Sequence, residues 1–354
     1  MTVIIDVDPH KATHTAVAID SDEVPIARLQ VAADRGQTQR LLAWAAPFGE
    51  DRRWAVESAD GLGRLLTQQL LAAGEEVVDV PLTLSARVRL LGSTKASKND
   101  PNDALATAIA GLRHRDLRAA RLDDHTAVIR LLVDRYDDLT RLRTQGACRL
   151  HVALRELSAG GAPKRLSADR AAGMLRSVRP VGLAEIERKR LAGELLADGR
   201  LDRDIATARG RVADAVAKSG TTLLELHGVG PIVAGLILGH VGDPARFPTP
   251  ERFASYNATA PIEASSGPVK RHRLNPRGNR KLNHAIHMAA VTQVRHDTPG
   301  RAYYQRIAEE VEEGGAPRPE ATPCGASCRS TSVDAEQAGP GGQPGTTLQS
   351  SVAG

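Results

Sequence analysis

Cysteine is nearly absent from this chain. Cys148, Cys324 and Cys328 are the only three in 354 residues, and they make neither a disulfide framework nor a four-ligand zinc pattern. Long apolar runs are missing as well, since none approaches the ~20 residues that a membrane span needs. The start "MTVIIDVDPHK" reaches acidic residues within six positions and has no cleavage site, so it does not read as a signal peptide. These absences point to a soluble, cytoplasmic protein with no membrane partner. Lysine is scarce too: 8 of the 47 basic residues are Lys, an arginine bias that a GC-rich genome produces as readily as any function. No helix-turn-helix or zinc finger stands out for reading bases. No Ser-His-Asp spacing argues for protease chemistry, although eleven histidines are available.

The length and a hydrophobic content of 41% are enough for two or three domains with cores of their own. A net charge of +5 and a pI near 9.3 matter only if the excess is clustered. Up to about residue 120, strand-like and helix-like segments alternate. "VIIDV", "HTAVAID" and "VPIARLQVA" follow one another at hairpin distance. "QTQRLLAWAA" and "GLGRLLTQQLLAAG" read as helices, and "RRWAVES" and "EEVVDVP" as strands. Three meander strands followed by helix–strand–helix–strand give the order of a ribonuclease-H-like (RuvC-like) domain, over residues 1–122. Residues 123–218 carry leucines at three-and-four spacing, among them Leu132, Leu139, Leu150, Leu154 and Leu157, and the pattern resumes after "SAGGAPKRLS". That spacing suits two long helices paired as a hairpin or coiled-coil arm. Residues 219–313 change texture again. "LHGVGPIVAGLILGHVGD" sets Gly228 and Gly230 before Pro231 and an apolar helix, a helix-hairpin-helix-like turn whose backbone N–H groups suit a phosphate.

The acids carry the chemistry. Asp8 lies just after the first strand, Glu57 ends a later one, and Asp100 and Asp103 open a late helix at i and i+3, on one helix face. Two-metal phosphodiester chemistry needs several carboxylates converging from separate elements, and hard oxygen donors suit Mg2+. Asp6 competes with Asp8, with which it alternates along the strand, and Asp60 competes with Glu57 but reads as a turn residue. Asp103 also reads as a plain N-cap for "ALATAIAGL".

"DVDPHK", "AVESADGLGRLL" and "KNDPNDALATAIA" resemble the three acidic boxes of the Asp-Glu-Asp-Asp (DEDD) transposases of the bacterial insertion-sequence one-ten family. "RFASYNATAPIEASSG" followed by "RHRLNPRGNRKLNHAIHMAA" resembles that family's C-terminal transposase domain, and the similarity runs from about residue 3 to 310. The resemblance selects Asp8, with Lys11, over Asp6, and Glu57 over Asp60. It makes Asp100 and Asp103, preceded by Lys98, metal ligands together with Asp8 and Glu57. It also implies a nucleophilic serine just before Gly267, five residues after Pro261, which lands on Ser266 with Ser265 as its neighbour. A serine attacking a phosphodiester conserves the bond energy in a phosphoserine ester, so strands can be rejoined without ATP. Beyond it, Lys270, Arg271, Arg273, Arg277, Arg280 and Lys281 put six cations into twelve residues, a concentration that suits DNA or RNA phosphates. The resemblance further implies a structured guide RNA, and a serine of one subunit completing the carboxylate site of another. Coiled-coil pairing and a shared site point to a homodimer or tetramer.

The expected activity is therefore that of a transposase or recombinase of an insertion sequence, acting on the element ends and the target. Two other readings remain open on the sequence alone: a metal-dependent nuclease or junction resolvase in which Ser266 is structural, and an inactive nucleic-acid-binding remnant. The last draws on residues 314–354, which begin with "GGAPRPEATPCGASCRSTSV" and lose all apolar period to the C-terminus. Such a segment cannot build a core and reads as disordered. Its abrupt onset after "RAYYQRIAEEVEE" is what a reading-frame shift in a GC-rich gene would produce.

Overall fold

The structure is a computed structural model that describes residues 3–92, 100–114, 117–164, 166–197, 200–265 and 271–312. The chain divides into two compact units, Met1–Asp123 and Asp124–Gly354.

The first unit is built on one sheet. Strands β1 (Val3–Pro9), β2 (Thr13–Ile19) and β3 (Pro25–Ala32) form an antiparallel meander, as their alternation and short turns dictate. Helix α1 (Gln37–Ala45) leads to β4 (Arg52–Glu57), and α2 (Arg64–Ala72) to β5 (Val77–Val80). Both strands lie parallel to β1, which helical crossovers permit and two-residue turns do not. Two further helices follow, α3 (Leu82–Gly92) and α4 (Asp100–Arg113), and then a short antiparallel edge strand, β6 (Arg118–Ala119). The sheet order is β3-β2-β1-β4-β5-β6, compatible with a ribonuclease-H-like domain. Successive side chains face opposite sides. Val3, Ile5, Val7, Trp54 and Val56 pack with Leu41 of α1 and with Leu66 and Leu70 of α2. On the other face Ile4, Val17, Ile19, Ala55, Val78 and Val80 pack with Ala108 and Ala110 of α4.

The second unit is largely helical. The expected pair of long helices is instead four: α5 (His125–Leu157), α6 (Ala168–Ser177), α7 (Leu183–Ala197) and α8 (Arg200–Lys218). Pro180 and Gly182 fall between α6 and α7, ahead of the second expected run at Leu191, Leu195, Ile205, Val212 and Val216; a proline disfavours helical backbone in the residue before it and offers no N–H, so α6 does not continue into α7. Beyond these lie α9 (Pro231–Val241), α10 (Pro250–Tyr256), a hairpin of β7 (Ile262–Glu263) and β8 (His272–Arg273), α11 (Arg280–Arg295) and α12 (Pro299–Glu312). One core joins the long helices to this C-terminal part: Ile129 and Val133 of α5 and Val212 and Val216 of α8 pack with Ile237 of α9, Phe253 of α10 and Ile286 of α11. A smaller cluster holds Leu150 and Leu154 of α5 against Leu175 of α6 and Ala192 of α7. Among the described residues no helix is long and apolar enough to cross a membrane. The segment from residue 314 onward, expected to be disordered and out of frame, lies outside the described residues.

Candidate active site

Three acids of the first unit share one face of adjacent strands. In the parallel β1–β4 ladder Asp6 lies opposite Ala55 and Val7 opposite Val56, so the next step brings Asp8 level with Glu57 at the carboxyl ends of both strands. The period of two puts Asp6, Asp8 and Glu57 on the same side as Ile4 and Ala55, which is the side that α4 covers. Asp8 is 8% exposed and Glu57 half-buried, whereas Asp6 is fully buried. Burial first, and then the negative charges of Asp8 and Glu57, push the Asp6 carboxyl well above the usual carboxylate range, with the Val7 amide offsetting this only slightly. Among the described residues neither Asp6 oxygen accepts a well-formed hydrogen bond. His10 stands with Nδ1 3.6 Å from Asp8 Oδ1, and Lys11 is exposed beside it in the β1–β2 turn.

The segment after Glu57 is pinned by β5. Ser58 takes a left-handed backbone (φ 51°) and its N–H donates to Val80 O at 3.1 Å, while the Ala59 N–H donates to Asp79 Oδ1 at 2.8 Å. Burial raises the Asp79 pKa, with the Ala59 N–H working against the shift. Asp60 is a turn residue, as its sequence context indicates, and it pairs with Arg64 and Arg118.

Helix α4 carries Asp100 and Asp103 in its first turn, and their side chains lie outside the described residues, as does Lys98. The far end of the helix is fixed. A Cβ on Gly111 would stand 2.8 Å from Ala55 Cβ and 3.3 Å from Ile4 Cγ2, and Arg113 pairs with Glu23 in the β2–β3 turn. Its C-terminal end therefore sits at the amino end of β1, and the helix runs back towards the carboxyl end. Among the described residues no three His, Cys, Asp or Glu side chains are arranged to hold a metal ion.

In the second unit Ser266 and Lys270 fall outside the described residues. Ser265 is described: its Oγ accepts from the Arg271 N–H at 3.2 Å, and the Ala264 N–H donates to Arg271 O at 2.8 Å. Ser265 thus belongs to the neck of the β7–β8 hairpin. Arg271, Arg273, Arg277 and Arg280 are exposed. Lys281 differs, because its Nζ lies 2.6 Å from Asp134 and 3.2 Å from Asp137 of α5. Burial works against its charge, yet the two aspartates outweigh that and raise its pKa. Gly228 has φ 85°, and a Cβ there would stand 2.8 Å from Ala289 O, so the turn before α9 needs glycine both for its backbone and for its contact with α11. Gly230 is the N-cap of α9, with Pro231 in its first turn.

Sequence reasoning passed over a polar network in this unit. Asn279 caps α11 through the Leu282 N–H, and its Nδ2 lies 3.1 Å from His240 Nδ1 and 3.2 Å from the Tyr256 hydroxyl. Burial, with Arg130 nearby, pushes the His240 pKa down to about 4.

Two family models match this chain. The family model of DEDD transposases of the IS110 type, described as "Transposase", matches residues 5–159. The model described as "Transposase IS116/IS110/IS902 family" matches residues 220–305. The chain is 26% identical to the insertion element IS900 uncharacterized 42 kDa protein of Mycobacterium paratuberculosis, over 85% of this chain and 88% of that one. It is 27% identical to the IS116 uncharacterized 44.8 kDa protein of Streptomyces clavuligerus, over 85% and 86%. Over 85 residues it is 39% identical to the IS110 uncharacterized 43.6 kDa protein of Streptomyces coelicolor. Matched by family models of this kind in both its units, the chain belongs to the DEDD transposases of the IS110 family, DNA-cleaving and DNA-joining enzymes of insertion sequences.

Proposed function

We propose that Asp8, Glu57, Asp100 and Asp103 hold divalent metal, Mg2+ in the cell, and that Ser266 is the nucleophile that cuts and rejoins DNA strands. The observation that carries this reading is the crowding of carboxylates at the carboxyl ends of β1 and β4. Mutual repulsion there is a cost that a bound divalent cation relieves, and the donor set is all hard oxygen. The direction of α4 supports the other two ligands. Positions 103, 107 and 111 share one helix face, and eight helical residues span ~12 Å. From Ile4 to Asp8 the strand covers ~13 Å, so a helix anchored at Gly111 over Ile4 brings its first turn to the level of Asp8.

Bound metal would supply Lewis-acid stabilisation of charge at the reacting phosphate. The rest falls to the chain. Ser266 Oγ forms a bond to phosphorus, the bond from phosphorus to one strand oxygen breaks, and that oxygen takes up a proton and leaves as a hydroxyl. Attack by the hydroxyl of another strand on the phosphoserine reverses the exchange and returns the proton to Ser266. The exposed Arg271, Arg273, Arg277 and Arg280, with Lys11, Lys98 and Lys270, are assigned to nucleic-acid phosphates, and the turn at Gly228 and Gly230 is assigned the same role as a helix-hairpin-helix element. The absence of a base-reading motif in the sequence supports specificity supplied by pairing through a structured RNA. Val128, Leu131, Leu142 and Val152 stay exposed along α5, which supports a coiled-coil arm joining copies into a dimer or tetramer, with the serine of one completing the carboxylate site of another.

The discriminating experiment substitutes Ser266→Ala and follows cleavage and strand exchange separately on the element's ends. Loss of both is the expected result. Cleavage that survives would make the protein a metal-dependent nuclease with a structural serine.

A further inference from the structure

We propose that Asp6 is a further carboxylate of the divalent-metal centre, reaching the ion or its water shell from the level beneath Asp8. The inference rests on the reading of that centre given above. Asp6 shares a face of β1 with Asp8, and its neighbours across the ladders are Val17 and Ala55, neither of which can pair with it.

A buried carboxyl normally has a partner that explains it, because an unmatched one loses its hydration for nothing. Two part-buried acids elsewhere in this unit obey that rule. Asp79 holds the Ala59 N–H, and Glu75 is held by Arg52 and the Trp54 indole. Asp6 does not: it is wholly buried, and among the described residues neither of its oxygens has a well-formed hydrogen-bond partner. Among the described residues the ionisable groups that act on it are Asp8 and Glu57, both of its own sign. A folding role therefore does not account for it, since a leucine or alanine would fill the site at lower cost. The missing partner is a cation, and the two acids beside it are those assigned to one.

The test is Mn2+ binding by full-length protein, followed by calorimetry, since Mn2+ takes the same hard oxygen donors. Wild type is compared with Asp6→Asn, Asp6→Ala and Glu57→Gln, and the metal-free proteins are melted in parallel. Both Asp6 variants are expected to weaken Mn2+ by about tenfold or more, while their metal-free melting midpoints stay level or rise. Wild-type Mn2+ affinity in the Asp6 variants, with loss in Glu57→Gln, would overturn the role of Asp6 and leave the centre standing. Wild-type affinity in Glu57→Gln as well would remove the centre itself. Failure of both Asp6 variants to fold would show the carboxyl to be structural and would also overturn the inference.

Discussion

Gly111 offers a quantitative test of how α4 is held over the sheet. In a helix interior, alanine is favoured over glycine by about 1 kcal/mol. Here the added methyl would stand 2.8 Å from Ala55 Cβ and 3.3 Å from Ile4 Cγ2. The first distance is ~1 Å inside ordinary carbon contact, and overpacking of that kind costs about 1–3 kcal/mol. The net expectation for Gly111→Ala is a loss of ~0–2 kcal/mol, or up to several degrees in Tm for a unit of this size. Relief requires α4 to move outward, which carries Asp100 and Asp103 with it, so Mg2+ should stabilise the variant less than it stabilises wild type. Trp44 and Trp54 are the chain's two tryptophans and both lie in the first unit, so their fluorescence reports its melting alone. Gly210→Ala in α8 is the control. It has nothing within 4 Å of its Cβ position and should gain about 1 kcal/mol in the second unit, followed by far-ultraviolet circular dichroism. A Gly111→Ala protein that gains as much as the control, with an undiminished response to Mg2+, would refute the close packing of α4 on β1.

Asp79→Ala leaves the Ala59 N–H without its acceptor and should cost about 1–3 kcal/mol in the first unit, whereas Asp79→Asn keeps an acceptor oxygen and should cost less; urea unfolding read by tryptophan fluorescence separates them. His240 has a folded pKa of about 4 against an ordinary 6.5, so between those values the unfolded chain binds the extra proton and stability falls as pH falls. The loss in the second unit from pH 7 to 4 should approach about 2–3 kcal/mol, and His240→Gln should flatten that slope in denaturation curves taken across the range. Removing Arg273 or Arg277 should reduce the salt slope of duplex binding by about one counterion each. Lys281→Met should leave that slope unchanged and instead lower second-unit stability by up to about 1 kcal/mol, because its charge is already committed to Asp134 and Asp137.

Much of the first unit was legible because its strands alternate and Gly74 closes α2. β1, β2 and β3 fall where the apolar runs lie, and "GLGRLLTQQLLAAG" yields α2 once Gly61 to Gly63 are given to the turn. Helix α3 was missed because "LTLSARVRLLG" follows β5 after a single proline, with no cap residue to announce it. The leucine spacing of residues 123–218 shows that they are helical, and the break at "SAGGAPKRLS" falls where α5 ends at Leu157; the short α6, closed off before Pro180, had no leucine period to announce it. Alternation put Asp6 and Asp8 on one face, yet only the pairing of β1 with β4 shows that Asp6 has no partner there. His240 sits in an apolar helix, and its contact with Asn279 spans 39 residues, a distance that no local pattern encodes. The basic run gave four exposed arginines and one lysine already paired, a difference set by α5 and invisible in the run itself.

The acids at the ends of β1 and β4 are assigned above to serve a serine that attacks DNA. Protein, the element's ends and its flanking transcript, with Mg2+ or with chelator, are run on a denaturing gel for wild type, Ser265→Ala, Ser266→Ala and Glu57→Gln. The account predicts a covalent protein–DNA adduct with wild type and Ser265→Ala in Mg2+, and none with Ser266→Ala, Glu57→Gln or chelator. An adduct that persists in Ser266→Ala, or that forms in chelator and in Glu57→Gln, would contradict it.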